Sequence, residues 1–92
     1  MGNAERSYRP PQSPWVFGLS DRLDKALKVG NVSNADMAAA LDVSRNTISN
    51  YTSGRTKPSK LQIKEWAVRT GAPLVWLEHG IDPTEPEVRP MD

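Results

Sequence analysis

A chain of 92 residues, 37% hydrophobic and 25% charged, has room for one modest core and not for two. The absence of cysteine excludes disulfides, thiolate metal sites and thiol catalysis, and makes a reducing compartment the expectation. A formal net charge of +1 excludes a strong global field of either sign.

The neutral total conceals an asymmetry. Between Ser44 and Lys64 the charged residues are Arg45, Arg55, Lys57, Lys60 and Lys64, with no acid among them. From Thr70 onward the balance reverses, with Glu78, Asp82, Glu85, Glu87 and Asp92 against Arg89. No apolar run approaches the ~20 residues that span a bilayer. The first residues have no apolar stretch of a signal peptide, and Arg6 stands where a myristoylation motif needs Ser or Thr. A soluble, cytoplasmic protein without membrane association is expected.

Residues 1–13 are polar, contain a Pro-Pro pair and show no periodicity, so they read as a flexible arm. Ser13-Pro14 supplies an N-cap followed by proline at the first helical position. Val16, Leu19, Leu23, Ala26 and Leu27 then recur at helical spacing up to Gly30. A first helix is predicted over about 14–29, with Phe17 as the alternative start. Ser33 with Asp36 resembles a capping box, and Met37, Ala38 and Leu41 mark a second helix over 34–41.

Ser44 caps a third helix over 45–53, where Thr47, Ile48 and Tyr51 share a face and Gly54 suits the left-handed position beyond the end. Pro58-Ser59 opens a fourth over 59–70, with the stripe Ile63, Trp66, Ala67 and Thr70, ended by Gly71. Pro73 starts a fifth over 73–79, carrying Leu74, Trp76 and Leu77 and closed by Gly80. Residues 81–92 combine three prolines with an acidic excess and read as a loose tail. No useful strand candidate exists, and five short helices with short connections predict an all-α domain over 14–80.

Only Asp42 and Val43 separate the second helix from Ser44. A turn that tight forces a large crossing angle, the helix-turn-helix arrangement. With Ile48 and Tyr51 turned inward, the outward face of the third helix is Asn46, Ser49, Asn50 and Ser53, with Arg45 at its start. Asn and Ser form helices less well than the Lys and Glu that a merely solubilising face would carry. DNA accounts for the exchange: Asn bonds bidentately to adenine, Arg to guanine and Ser to several base edges, whereas Glu is repelled by phosphates.

The stretch AAALDVSRNTISNYTSGRTKP, residues 38–58, resembles the helix-turn-helix of the lambda-repressor/Cro-type family, whose pattern is roughly A-x-x-L-x-V-S-x-x-T-I-S-x-Y-x-x-G-x-x-x-P. Ser33-Asn34 stands where the family has Thr/Ser-Gln, and EWAVRTGAPLVWLEHG is similar to the end of short repressors from actinobacterial phages. The resemblance spans about residues 16–80 and implies a compact five-helix lambda-repressor-like domain. It further implies base-edge contacts from Arg45, Asn46 and Asn50, with Ser49 as a fourth. Phosphate contacts are implied for Asn34, Ser44, Ser53, Arg55, Thr56 and Lys57. Ala38 would let the two helices cross closely, Val43 and Ile48 would anchor them, and Asp42 replaces the usual glycine at a positive-φ turn position. In related repressors the last helix dimerises, which makes Leu74, Val75 and Trp76 the candidate interface of a homodimer on DNA.

Other residues have plainer readings. Trp66 and Trp76 read as core or interface side chains, and Tyr51 as a packed ring with its hydroxyl near the loop backbone or DNA. Lys60 reads mainly as solubilising. Arg6 and Arg9 belong to a disordered arm more readily than to one entering a DNA groove. His79, near a helix end where a cation suits the dipole, has no second His and no Cys to form a metal site. No Ser/His/Asp set, paired carboxylates or Gly-rich phosphate loop appears, so no enzyme, cofactor or small-molecule ligand is expected.

The functional expectation is a sequence-specific regulator of transcription that binds double-stranded DNA in the major groove. A phage repressor or Cro-type protein occupying promoter operators, in the cytoplasm of a bacterial host, is the leading form. The antitoxin of a toxin–antitoxin pair, with autoregulatory DNA binding, is one alternative. A protein-interaction module on the same scaffold is another.

Overall fold

The computed structural model describes residues 17–83. Five helices follow one another: α1 Leu19–Gly30, α2 Asn34–Leu41, α3 Arg45–Ser53, α4 Lys60–Thr70 and α5 Leu74–His79. No strand occurs among the described residues. Each helix is too short to persist alone in water, so each is held by its cap and by the face it buries.

The first helix starts later than its apolar spacing suggests. Gly18 is extended, with φ −108° and ψ −166°, and its N–H donates to Asp21 Oδ2 at 2.9 Å. That bond supports the start at Leu19 from within the helix. Pro14 and Val16 lie outside the described residues, as do the arm over 1–13 and residues 84–92 of the tail.

Its end also departs from expectation. Gly30 is still helical, and Asn31 takes the left-handed conformation at φ 57°, which Asn tolerates better than most residues. Glycine at 30 answers a packing constraint: a Cβ there would lie 2.5 Å from the Thr70 carbonyl oxygen. The ends of α1 and α4 cross at a distance that only a hydrogen allows.

Serines open the next helices. Ser33 Oγ accepts the Asp36 N–H at 3.0 Å, the serine half of the expected box. Ser59 and Gln62 form a reciprocal box, with Gln62 N–H donating to Ser59 Oγ at 3.2 Å and Ser59 N–H to Gln62 Oε1 at 2.8 Å.

The core draws on every helix: Leu23, Ala26 and Leu27 from α1, Met37 and Ala38 from α2, Ile48 and Tyr51 from α3, Ile63, Trp66 and Ala67 from α4, and Leu77 from α5. Trp66 is fully buried, and its indole N–H donates to the Leu23 carbonyl at 3.1 Å. Thr70, the one buried polar residue among those described, donates to Trp66 O at 2.8 Å and accepts the Ala72 N–H at 3.2 Å. Val43, Leu74 and Trp76 pack around this centre from partly exposed positions.

Glycine-to-alanine changes within helices usually stabilise by about 0.5–1 kcal/mol. At residue 30 the Thr70 carbonyl reverses the sign, and Gly30→Ala should lose about 1–3 kcal/mol in urea unfolding. A gain would show that the end of α4 moves aside freely.

Candidate nucleic-acid interface

The turn between α2 and α3 is two caps without a spacer. Asp42 holds φ 59° and ψ 48°, while Asp42 N–H donates to Ala39 O at 3.3 Å and Val43 N–H to Ala38 O at 3.0 Å. This pair of bonds closes α2 with a Schellman-type cap. Ser44 immediately opens α3, its Oγ accepting the Thr47 N–H at 3.1 Å. Ala38 is buried where the chain doubles back, and Val43 is half-buried. The turn therefore has little freedom, and the angle between the helices is fixed by backbone hydrogen bonds.

Rotation of α3 about its axis is fixed by Ile48, which is completely buried, and by Tyr51. Arg45, Asn46, Ser49 and Ser53 are then exposed and Asn50 half-exposed. Thr47, read from its spacing as an inward residue, is only half-buried. Its hydroxyl lies 3.0 Å from Ser44 Oγ. Tyr51 also differs from its reading: its hydroxyl donates to Gln62 Oε1 at 3.1 Å, the atom that also caps α4.

Beyond α3 the chain folds back on its own end. Arg55 N–H and Thr56 N–H both donate to Asn50 O, at 2.9 and 3.2 Å, and Ser53 Oγ donates to the same carbonyl at 3.2 Å. These main-chain donors are occupied, so Arg55 and Thr56 offer their exposed side chains. Lys57 is exposed beside buried Pro58, and Asn34 is exposed at the start of α2. No acidic residue interrupts the chain from Ser44 to Lys64, so this surface is locally basic in a chain of near-neutral total.

Leu74, Val75 and Trp76 are half-buried, and Leu77 is fully buried. Trp76 faces a shallow groove with Lys25, Ala26, Val29 and Pro73, away from the groove that Arg55, Thr56 and Lys57 line with Ser20. Trp76 and the loop candidates thus line different grooves.

A family model described as helix-turn-helix matches residues 23–77. The chain belongs to the Cro/C1-type helix-turn-helix family. The match begins at Leu23 and ends at Leu77, both completely buried, so it embraces the whole core. Membership in this family makes the protein a DNA-binding transcriptional regulator. Neither the comparison with curated proteins nor that with solved structures gave a match. Among the described residues no helix is long and apolar enough to cross a membrane, and no cluster of His, Cys, Asp or Glu side chains is placed to hold a metal ion.

Two contacts that hold this domain together have no place in the sequence reading above. Gln62 was detectable, because Ser59 and Gln62 have the S-x-x-Q spacing of a capping box. Arg22 had no local signal: its Nε donates to Leu77 O at 2.9 Å and its Nη2 to Glu78 O at 3.2 Å. It places a cation at the C-terminal end of α5, where the helix dipole favours one.

At Asp42 the left-handed backbone strains a residue with a Cβ, and glycine carries no such strain. Asp42→Gly should raise stability by up to about 1 kcal/mol in thermal unfolding. A clear loss would show that the turn does not strain this residue.

Proposed function

We propose that the protein is a repressor of Cro/C1 type that lays α3 in the major groove of an operator and blocks transcription by occupying it. The observation that carries this reading is the outward face of α3, where Arg45, Asn46, Ser49 and Asn50 stand opposite buried Ile48 and Tyr51. Arg45 matches guanine O6 and N7, Asn46 and Asn50 match adenine N6 and N7, and Ser49 accommodates several base edges. The likeness of residues 65–80 to the ends of short actinobacterial phage repressors supports a phage origin.

Phosphate contacts fall to Asn34, Ser44, Ser53, Arg55, Thr56 and Lys57, and they are not equivalent. Ser44 and Thr47 hold two hydroxyl protons, one of which is used between them, so the pair keeps one donor for a phosphate oxygen. Ser53 already donates to Asn50 O and must rotate away to donate elsewhere, which makes it the weakest of the set. Arg55 and Lys57 supply full charges on exposed stems.

Base readers and phosphate binders separate in one experiment on an operator selected from random DNA. Arg45→Ala or Asn50→Ala should lose about 1–3 kcal/mol on the operator and relax preference at particular base pairs. Lys57→Ala should weaken operator and random DNA alike and flatten the log K against log salt slope by roughly one unit. Equal losses of Arg45→Ala on both DNAs would reject base reading by that residue.

The working species in this reading is a homodimer joined through Leu74, Val75 and Trp76. One such module buries little surface on DNA, and a net charge of +1 gives weak electrostatic help. Joining two modules makes the second half-site encounter intramolecular, with the α3 helices about 34–36 Å apart. Sedimentation should show two chains per operator, and Val75→Glu should abolish the cooperativity. One chain per operator at saturation would reject the dimer.

A further inference from the structure

We infer that Gln62, which is not among the proposed DNA-contacting residues, is a positioning residue for sequence specificity: its side-chain oxygen fixes the loop after α3 against the outward face of that helix. The inference rests on the base-reading role proposed for α3 and adds the residue that keeps base and phosphate contacts in register.

The loop between α3 and α4 is held at two places. On the α3 side, the Asn50 carbonyl accepts the N–H groups of Arg55 and Thr56 at 2.9 and 3.2 Å. On the α4 side, Gln62 Oε1 accepts the Tyr51 hydroxyl at 3.1 Å and the Ser59 N–H at 2.8 Å. Tyr51 precedes and Ser59 follows the segment that carries Arg55, Thr56 and Lys57, so one oxygen joins the two ends of that segment. The node is itself anchored. The Tyr51 ring is buried with its centroid 6.3 Å from that of fully buried Trp66, and Pro58, between Lys57 and Ser59, is buried as well.

Holding α4 together does not require this oxygen. Ser59 Oγ accepts the main-chain N–H of residue 62 at 3.2 Å, a bond that survives truncation of the side chain. Gln62 is half-exposed, so its removal opens the node to water, which satisfies the Tyr51 hydroxyl and the Ser59 N–H at small net loss. Water does not supply direction. A loop released at this node still offers its cations to any duplex, whereas the base edges and phosphates of an operator stand at fixed spacing and demand one arrangement. Ordering the loop then draws on the free energy of operator binding alone.

The test compares the full chain on an operator selected from random DNA and on a random duplex of the same length. Gln62→Ala should bind the random duplex as the wild type does, with the same salt slope, and the operator about tenfold more weakly, the effect of two lost bonds. Tyr51→Phe, which keeps the ring, should lose about threefold on the operator, and adding it to Gln62→Ala should cost nothing further. Gln62→Glu keeps an acceptor for both donors and adds a negative charge. It should weaken both duplexes by the same factor and keep the wild-type ratio between them. Melting curves should show every variant folded at the assay temperature. Equal losses of Gln62→Ala on both duplexes, or a ratio that falls as far in Gln62→Glu as in Gln62→Ala, overturn the inference and leave the base-reading role of α3 intact. Failure of the wild type to select any preferred site overturns both.

Discussion

Burial of Ile48 is the interaction on which the interface depends. A helix of nine residues, rich in Asn, Ser and Thr, does not hold itself together in water. It exists because Ile48 and Tyr51 enter the core that Leu23, Met37 and Trp66 complete. The same burial sets the rotation of α3 about its axis. Turning the helix by one residue, about 100°, would bring Ser49 or Thr47 inward, exposing apolar surface and burying hydroxyls without partners. Which side chains look outward is therefore decided by one buried isoleucine.

Around that contact, polar groups remove the remaining freedom. The Tyr51 hydroxyl reaches Gln62, whose side chain also caps α4, so the end of α3 and the start of α4 are tied at one atom. The Trp66 indole binds the Leu23 carbonyl and fixes α4 on α1. Arg22 does the same for α5 through two carbonyls. Each such bond adds about 1 kcal/mol, less than burying a large side chain, but bonds impose direction where apolar contact does not. No buried side-chain nitrogen or oxygen among the described residues is left without a partner.

The charge distribution follows the same division of labour. Basic residues gather in the loop after α3 and at the start of α4, while acids collect toward the end of the sequence. A protein with a net charge of +1 cannot rely on a broad positive field. In the proposed reading, its attraction for DNA comes from the cations that the loop presents, which favours register on the duplex over indiscriminate binding.

The sequence by itself determined the local features. Ser33, Ser44 and Ser59 cap helices through partners three residues away, and such bonds are visible in a short window of residues. The inward stripe of α4 and the inward Ile48 and Tyr51 of α3 follow from helical periodicity in the same way. The chain's family was legible too, because the turn and the helix it opens occupy one continuous stretch. Tertiary structure decided the rest. Gly30 is glycine because Thr70, remote in sequence, passes within reach of a Cβ. Arg22 belongs to α5 because folding brings together residues 55 positions apart. The Thr47 hydroxyl meets Ser44, and His79 lines one groove with Lys57 and Lys60 from elements with no shared sequence signal. A cap is specified by a few neighbouring dihedrals, whereas a contact between distant segments depends on how the whole core closes, which no local pattern records.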